Sequence, residues 1–360
     1  MSTVHSRCDE GIADARRPCL ATPNPKAVLA TTILASGLAL IDGSVVNVGL
    51  SAVGASYGGV AAGLQWIINA YLLPLSALLL LGGAAGDRYG HGRLLICGVT
   101  MFATASVTCA LAPTLNWLLV SRGVQGFGAA LLLPNSLAIL GEHFAGEGRA
   151  RAIGIWASAG AVLAAFGPVL GGWLIDISGW RSIFLINLPP AALTIALAFL
   201  YIHDPPVGRV TVPLDLPGGI LATTSLGALT WGLTEGCGHS GWTPTVFLIT
   251  AAGVILLAIF ALVEGAKEEA AMMPPSLFGS KSFLGITLLT LLLYAALATL
   301  LVLMPYVLIR AGGYSAAQSG AALLPFAAIL ALTSPLMGML AGKIGPRIPL
   351  IVGPLVVAAG

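Results

Sequence analysis

The succession of long apolar segments constrains the fold of this chain more than any other feature. A helix of about 20 apolar residues is long enough to cross the hydrocarbon core of a bilayer. From residue 27 onward such segments follow one another with short polar connections. The pattern predicts an all-α polytopic membrane protein with ten full transmembrane helices and part of an eleventh. The predicted helices cover 27–50, 65–86, 94–115, 117–141, 152–175, 182–202, 216–234, 242–263, 282–309 and 318–342, with the partial one at 348–360.

Composition argues against a soluble protein, because 57% of the residues are hydrophobic and 8% are charged, against roughly 25% charged in soluble domains. The net charge of +2 comes from dispersed basic residues, which argues against nucleic-acid binding. The five cysteines and five histidines lack the spacing of disulfide frameworks or metal ligands, and the histidines are predicted to lie outside the apolar spans. We therefore expect no metal site. The spans contain no nucleophile and base pair or phosphate loop, so an enzyme is not expected.

The distribution of basic residues predicts the orientation of the chain. Residues 1–26 form a polar tail, and short cytoplasmic loops collect Lys and Arg. With the tail inside, thirteen of the sixteen Lys and Arg residues fall on the inner side. Only Arg181 and Arg310 fall outside, and Arg122 lies within a span. We therefore predict an inner or plasma membrane protein with a cytoplasmic N-terminus.

An internal repeat indicates how many helices the parent architecture has. The segment GAAGDRYGHGR at 83–93 resembles GMLAGKIGPR at 338–347, and both are predicted to join helices on the inner side. The two copies are eight predicted helices apart, whereas two bundles of six would give an offset of six. Two extra helices must therefore lie between the bundles, so we expect fourteen helices in the parent and a C-terminally truncated chain here. The predicted units are a cytoplasmic tail at 1–26, an N-terminal six-helix bundle at 27–202, a two-helix insertion at 203–264 and an incomplete C-terminal bundle at 265–360.

Asp42 is the only one of the fourteen acidic residues inside a predicted span. A carboxylate there costs about 2.5–3.5 kcal/mol on insertion scales, so it needs a functional or structural reason. Burial in a low dielectric favours the protonated form, which allows the group to load and release a proton. When ionised it can bind a cationic substrate. The alternative is a locally hydrogen-bonded side chain that caps a kink beside Gly43.

Arg122 is the only basic residue inside a span, and helical spacing puts Gln125 on the same face. This polar face suits a water-filled cavity, where Arg122 could tune a nearby carboxylate. The alternative is an arginine that extends to the outer interface. The sequence does not decide whether Arg122 contacts Asp42, and Asn47 lies about 140° around the helix from Asp42.

Two glycine-rich segments have structural and functional interpretations. In the fifth predicted helix, small residues including Gly167, Gly171 and Gly172 allow close helix approach, while Pro168 removes a hydrogen bond and bends the segment. Packing alone could explain them. The segment 83–93 is predicted to form a tight turn at the inner surface, and a plain charged turn is the alternative.

Taken in order, these segments resemble the fourteen-helix drug:proton antiporters of the major facilitator superfamily (EmrB/QacA type) over residues 27–360. The fold expected from that resemblance is the major facilitator fold. The segments that carry it are Leu-Ile-Asp-Gly-Ser-Val-Val-Asn-Val at 40–48, 83–93, Arg-Gly-Val-Gln-Gly-Phe-Gly-Ala-Ala at 122–130, Gly-Pro-Val-Leu-Gly-Gly at 167–172, and Trp180, Arg181, Phe184, Asn187 and Pro189.

The resemblance implies roles for three sets of residues. Asp42, Arg122 and Gln125 would couple proton and substrate. The set Gly167, Pro168, Gly171 and Gly172 would form an antiporter motif that favours export. A gating turn would latch the inside-closed state, although the second copy of the turn has Gly342 where the acidic residue would be. The residues of the gating turn are Gly83, Gly86, Asp87, Arg88, Gly90 and Arg93.

The implied function is proton-driven export of drugs or other toxic small molecules by alternating access, that is, multidrug efflux and antibiotic resistance. No cofactor is expected, and protons serve as the coupling ion. We expect a monomer in the lipid bilayer that binds a lipophilic or cationic small molecule and no nucleic acid. Whether an accessory export protein binds to it is not determined by the sequence. The alternatives are an importing or single-substrate transporter of the same fold, and an inactive truncated membrane protein or a sensor.

Overall fold

The computed structural model describes residues 24–57, 61–204, 215–237, 241–267, 279–326 and 347–359, together with isolated positions between 328 and 340. Every regular element in these residues is helical. The helices are α1 (Pro25–Ser56), α2 (Ala61–Tyr89), α3 (His91–Ala110), α4 (Leu115–His143), α5 (Gly146–Ser178), α6 (Ser182–Leu185), α7 (Leu188–Tyr201), α8 (Leu216–Gly236), α9 (Pro244–Lys267), α10 (Lys281–Arg310), α11 (Ala316–Ala321) and a last helix at Arg347–Ala359.

Local sequence signals account for several helix starts. Asn24 caps α1, with its side-chain oxygen 3.3 Å from the N–H of Ala27, and Pro25 fills the first helical position. Thr114 caps α4 in the same way, with its hydroxyl oxygen accepting from the N–H of Trp117 at 3.3 Å. Side chains that satisfy the first free N–H groups fix where these helices begin.

The sixth predicted span is one apolar stretch broken into α6 and α7. Pro189 and Pro190 have no N–H, so the carbonyls of Leu185 and Ile186 lack the donors that would continue the helix. Asn187 lies at the break, between the last residue of α6 and the first of α7. The break therefore brings an amide side chain into an otherwise apolar span.

Within the described residues, eight segments are long and apolar enough to cross a membrane. They are α1 to α5, α6 and α7 taken together, α9, and α10. The helix α8 matches the predicted span at 216–234 but is outside this set of eight. Nine of the 25 residues of the predicted span at 318–342 are outside the described part, as is most of the second copy of the repeat at 338–347. The count of ten full helices therefore stays a prediction.

Close helix approach in the first part of the chain depends on small residues. The most extensive contacts join α3 to α4, α2 to α4, and α1 to α5. A side chain at Gly128 on α4 would place its Cβ 2.8 Å from the backbone nitrogen of Phe102 on α3. Such a contact requires a glycine, as is common where membrane helices pack backbone to backbone.

Burial differs strongly between the first and later helices. In the most apolar window of α1, 61% of the residues are buried inside the described structure, and in α4 56% are. The corresponding shares are 11% in α9 and 0% in α10. The helices α8 and α9 pack on each other, α8 packs on α2, and α11 packs on α5. Among the described residues, most of the buried core lies in α1 to α7.

Candidate functional site

Asp42 lies near the middle of α1 and is 1% exposed. Its carboxylate accepts hydrogen bonds from three side chains on other segments. A buried carboxylate is stable only when such donors replace the water it has lost. The structure therefore places the predicted coupling residue at the centre of a polar cluster.

Arg122 on α4 forms an ion pair with Asp42, with Nη1 2.5 Å from Oδ2. The arginine side chain is 1% exposed, so it does not extend to the outer membrane interface. Its Nε donates to the backbone carbonyl of Ile67 on α2 at 3.2 Å. The ring of Tyr71 lies 4.3 Å from the guanidinium carbon and that of Phe184 lies 5.8 Å away. These rings add cation–π attraction and help to exclude water from the guanidinium.

Gln125 is one turn further along α4 and links the ion pair to α3. Its Oε1 accepts from Nη1 of Arg122 at 2.7 Å, and its Nε2 donates to Oδ1 of Asp42 at 2.8 Å. The same Nε2 donates to the hydroxyl oxygen of Ser106 on α3 at 2.9 Å. All three residues predicted to couple proton and substrate are thus in direct contact.

Asn187 completes the cluster from the break between α6 and α7. Its Nδ2 donates to Oδ1 of Asp42 at 2.9 Å and lies 3.3 Å from the hydroxyl oxygen of Ser106. The sequence analysis used Asn187 only as part of the segment that carries the family resemblance and assigned it no place in the site. The signal that could have revealed it is an amide side chain two residues before a pair of prolines inside an apolar span.

Arg122, Gln125 and Asn187 each donate to the carboxylate of Asp42, an arrangement that suits the ionised form of this group. The negative charge of Asp42 and the positive charge of Arg122 cancel. Gln125 and Asn187 contribute neutral dipoles, and Ser106 donates its own proton to the backbone carbonyl of Phe102. The cluster is therefore electrically neutral and its hydrogen bonds are well satisfied.

The polar cluster lies between two apolar layers of the bundle. On α1, the buried apolar residues from Val28 to Ala39 precede Asp42 and belong to one layer, while those from Val45 to Val53 follow it and belong to the other. The same division recurs on α3, α4 and the α6–α7 segment. Apolar packing therefore closes the cluster from both membrane surfaces in this conformation.

The predicted antiporter motif on α5 packs directly beside Asp42. A Cβ at Gly167 would overlap the side chain of Ser44 on α1, and one at Gly171 would lie 2.8 Å from Cγ1 of Val45. On another side of α5, Gly320 of α11 lies against the backbone of Pro168. The motif thus contacts both the helix that carries Asp42 and a helix beyond α10. Its four residues, Gly167, Pro168, Gly171 and Gly172, are buried.

The predicted gating turn is shorter than expected. The helix α2 continues to Tyr89 and α3 begins at His91, so only Gly90 is outside a helix. Gly90 has a φ of 102°, which glycine adopts without strain, and this permits the one-residue turn. Hydrogen bonding in a helix does not require apolar side chains, so both helices extend past the apolar segments. As a result Gly83, Gly86, Asp87 and Arg88 lie on the last turns of α2, and Arg93 lies on the first turn of α3.

Asp204, just after α7, holds the start of α3. Its carboxylate oxygens accept from the backbone N–H groups of Gly92 at 2.7 Å and Arg93 at 3.0 Å. A carboxylate at a helix N-terminus is stabilised by the free N–H groups and the helix dipole. The turn is thereby attached to the end of the sixth span.

A second ion cluster joins the two ends of the α8–α9 hairpin. Lys267 contacts both carboxylate oxygens of Asp215 at 2.5 Å, and its Nζ lies 3.8 Å from Oε1 of Glu264. Burial alone would raise the pKa of Asp215, but the Lys267 ammonium and the N–H of Gly218 together hold that pKa below its usual value. This cluster connects only neighbouring helices, and Lys267 is 28% exposed.

Two of the five histidines differ from their predicted locations outside the spans. His91 starts α3 and His143 ends α4, and both are buried, because α3 and α4 continue beyond their apolar cores. No group of three or more His, Cys, Asp or Glu side chains that could hold a metal ion is found among the described residues.

Comparison of the sequence with known proteins identifies the family of the chain. The sequence profile of the Major Facilitator Superfamily matches residues 32–360. The chain is 36% identical over 331 residues to "Multidrug resistance protein Stp" of Mycobacterium tuberculosis (strain CDC 1551 / Oshkosh), covering 89% of this chain and 60% of that protein. It is 36% identical over 307 residues to "Cephamycin export protein CmcT" of Amycolatopsis lactamdurans, covering 84% of this chain and 62% of that protein. The chain thus spans about three fifths of the length of these curated relatives.

Among solved structures, the fold is similar to that of the proton:xylose symporter XylE of the same superfamily, with a TM-score of 0.55 and 16% identity. The match covers 89% of this chain and 69% of that one. At this identity the likeness concerns the fold alone.

Proposed function

Because the chain belongs to the Major Facilitator Superfamily, we propose that it exports small toxic molecules, antibiotics among them, in exchange for protons. It is a multi-pass membrane protein, and members of this superfamily are transporters rather than enzymes. The observation that carries the proposal is the buried ion pair of Asp42 and Arg122 among helices that form the core of the bundle. The names of the two curated relatives, one a multidrug resistance protein and one a cephamycin export protein, support export as the direction.

In the proposed mechanism, Asp42 binds the coupling proton. A proton that reaches Oδ2 replaces the contact with Nη1 of Arg122, and the carboxyl group becomes neutral. The guanidinium keeps its contacts with Oε1 of Gln125, the carbonyl of Ile67 and the ring of Tyr71, so it stays solvated by the protein. Release of the proton restores the ion pair. The conformation described here corresponds to the released, ionised state.

Charge provides the link between proton and substrate. The cluster is neutral when Asp42 is ionised and carries one positive charge when Asp42 is protonated. A positive cluster disfavours a cationic substrate nearby, so loading a proton and binding a cation exclude each other. This exclusion makes exchange obligatory. Exchange of one proton for one monovalent cation moves no net charge, so the pH gradient drives accumulation and each pH unit supplies about 1.4 kcal/mol.

The two glycine-rich segments then serve the conformational change. We assign the α2–α3 turn with Asp87 and Arg88 to gating at the inner surface, and the α5 motif to the contact that slides against α1 during alternating access. The location of Gly167 and Gly171 beside the Asp42 segment supports this assignment, because a shift of α5 would displace the part of α1 that carries Asp42.

We further assign the chain to the fourteen-helix drug:proton antiporters, working as a monomer with a cytoplasmic N-terminus. The α8–α9 pair supports this assignment, since these helices pack mainly on each other and lie in sequence between the first six spans and α10. The distribution of Lys and Arg supports the orientation.

Transport in everted membrane vesicles tests the proposal. A resistance screen in an efflux-deficient host first identifies a transported compound. Everted vesicles that contain the chain and have an acidic lumen should then accumulate this compound, because protons leave the lumen as the compound enters. Collapse of the pH gradient should abolish the accumulation. Accumulation that survives the collapse, or uptake driven only in right-side-out vesicles, would contradict proton-coupled export.

A further inference from the structure

A second polar cluster lies where α2, α3 and α4 meet, at the α2–α3 turn. His91, the first residue of α3, is 5% exposed and contacts side chains of both neighbouring helices. Its Nδ1 lies 2.6 Å from Oδ1 of Asn135 on α4. Its Nε2 lies 3.5 Å from Oδ1 of Asp87 on α2 and 3.6 Å from Oε1 of Glu142 on α4. These contacts determine how many protons the ring carries.

The orientation of Asn135 fixes the first proton. Its Nδ2 donates to the backbone carbonyls of Gly82 at 3.0 Å and Leu131 at 2.5 Å, and a carbonyl can only accept. The side-chain oxygen of Asn135 is therefore the atom that faces His91. Because this oxygen cannot donate either, Nδ1 of His91 must carry a proton.

The carboxylates fix the second proton. A neutral ring with its proton on Nδ1 would present the lone pair of Nε2 to Asp87 and Glu142, which repels both oxygens. A proton on Nε2 turns both contacts into attractions. These two carboxylates are the charged groups that face the ring from α2 and α4. From the end of α7, Asp204 binds the backbone of Gly92 and Arg93 instead.

Gly86 on α2 makes this arrangement possible. A Cβ at this position would overlap both Oδ1 of Asn135 and Nδ1 of His91, so only glycine leaves room for their contact. A predicted gating glycine thus has a specific steric role: it lets α2 pack against the hydrogen bond between α3 and α4.

We propose that His91 is a second proton-binding site of the chain, separate from Asp42, and that its bound proton joins α2, α3 and α4 at the turn. Loss of this proton leaves Asp87 and Glu142 facing a lone pair and each other. The contact between the three helices then weakens as the pH on this side of the membrane rises. Proton binding at His91 needs no transported substrate, so this proposal can be tested independently of the proposed export function.

Nuclear magnetic resonance of the whole chain in lipid nanodiscs tests the protonation state directly. The chain is labelled with ¹⁵N-histidine, and the signals of His91 among the five histidines are assigned by their loss in His91→Gln. At pH 7 both ring nitrogens of His91 should show the imidazolium shift. A ring with a single protonated nitrogen at pH 7 would overturn the proposal.

Thermal unfolding between pH 6 and pH 9 provides a second test. The folded chain holds the His91 proton more tightly than the unfolded chain, so the stabilisation is present at low pH and is lost as pH rises. Relative to His91→Arg, which keeps the charge, the parent midpoint should fall by about 3 °C over this range. The unfolding midpoint of His91→Gln should already be lower than that of the parent at pH 6.

His143→Gln is the matched control, because its buried ring contacts the carbonyl of Ile139 in its own helix at 2.8 Å. The unfolding midpoint of His143→Gln should change with pH in the same way as that of the parent. A constant difference between the parent and His91→Arg across the range would contradict the proposal. If His91→Gln does not fold, the His91 signals are identified as those that persist when each of the other four histidines is replaced in turn, and the resonance measurement still decides the question.

Discussion

Asp42 and Asp215 each contact one cationic side chain at 2.5 Å, but their surroundings differ. The Asp42 pair is almost fully buried, at 0% and 1% side-chain exposure. Neutral donors on α4 and at the break between α6 and α7 complete it. In the Asp215 pair, Lys267 is 28% exposed and joins two ends of one hairpin. An ion pair alone therefore does not mark a functional site. Complete burial and a closed set of donors distinguish the first pair from the second.

The largest expected effect comes from removing the cation of each pair. Arg122→Gln leaves the Asp42 charge buried without compensation and should lower the free energy of unfolding by about 3–5 kcal/mol. Lys267→Gln removes a partly exposed cation, and Asp215 keeps the N–H of Gly218 as a donor, so the loss should be smaller. Denaturant unfolding in mixed micelles measures both. Equal losses for the two variants would contradict the contrast between the pairs.

A double-mutant cycle sharpens the same contrast. Adding Asp42→Asn to Arg122→Gln removes the uncompensated charge and should recover about 1–3 kcal/mol of the lost stability. The matched cycle with Asp215→Asn and Lys267→Gln should show a coupling below about 0.5 kcal/mol. Additive effects at both pairs would mean that Asp42 and Arg122 do not interact as the structure indicates.

The neutral donors give a further expected difference. Asn187→Leu removes the amide that bonds Asp42 and Ser106, and should cost about 1–3 kcal/mol because two buried oxygens lose a donor. Asn69→Leu is the matched control, since the amide of Asn69 makes one part-buried hydrogen bond of 3.1 Å to Thr234. Asn69→Leu should lower the free energy of unfolding by about 1 kcal/mol or less. The same unfolding assay compares them, and a larger loss in the control would rule out a special role for Asn187.

The sequence predicted the helices of the first bundle well, because long apolar segments have few alternatives in a membrane. The boundaries were less accurate. The helix predicted at 94–115 is observed at His91–Ala110, and the predicted loop at 83–93 contains a single non-helical residue. Helical backbone hydrogen bonds continue into the polar residues beyond the apolar core, so hydropathy alone does not predict where these helices end.

Within the site, Asp42 and Arg122 could be predicted because charges inside apolar spans are rare and conspicuous. Their contact could not, since the two residues are 80 positions apart and pair only when α1 packs against α4. Asn187 and His91 were missed for a related reason: a neutral amide and a terminal histidine are common at helix ends. Only the packing of several helices shows that each one completes a polar cluster.

The smallest expected effect concerns the pH dependence of the second pair. The pKa of Asp215 is lowered in the folded chain, so its contribution to stability is present above the unfolded pKa and is lost as pH falls through the folded value. The stability difference between the parent and Asp215→Asn, below about 1 kcal/mol at pH 7, should therefore shrink as the pH falls into the acid range. Unfolding at pH 7 and pH 3 measures the difference. A difference that grows in acid would contradict this account.

The most direct test of the central claim measures exchange and proton-driven accumulation side by side in proteoliposomes. Asp42→Asn leaves the positive charge of Arg122 without its partner, as in the protonated state. Exchange of labelled for unlabelled cationic compound should therefore weaken, and a pH gradient should no longer drive accumulation. Asp215→Asn should retain both activities. If Asp42→Asn accumulates the compound in response to a pH gradient as the parent does, Asp42 is not the coupling site and the account is wrong.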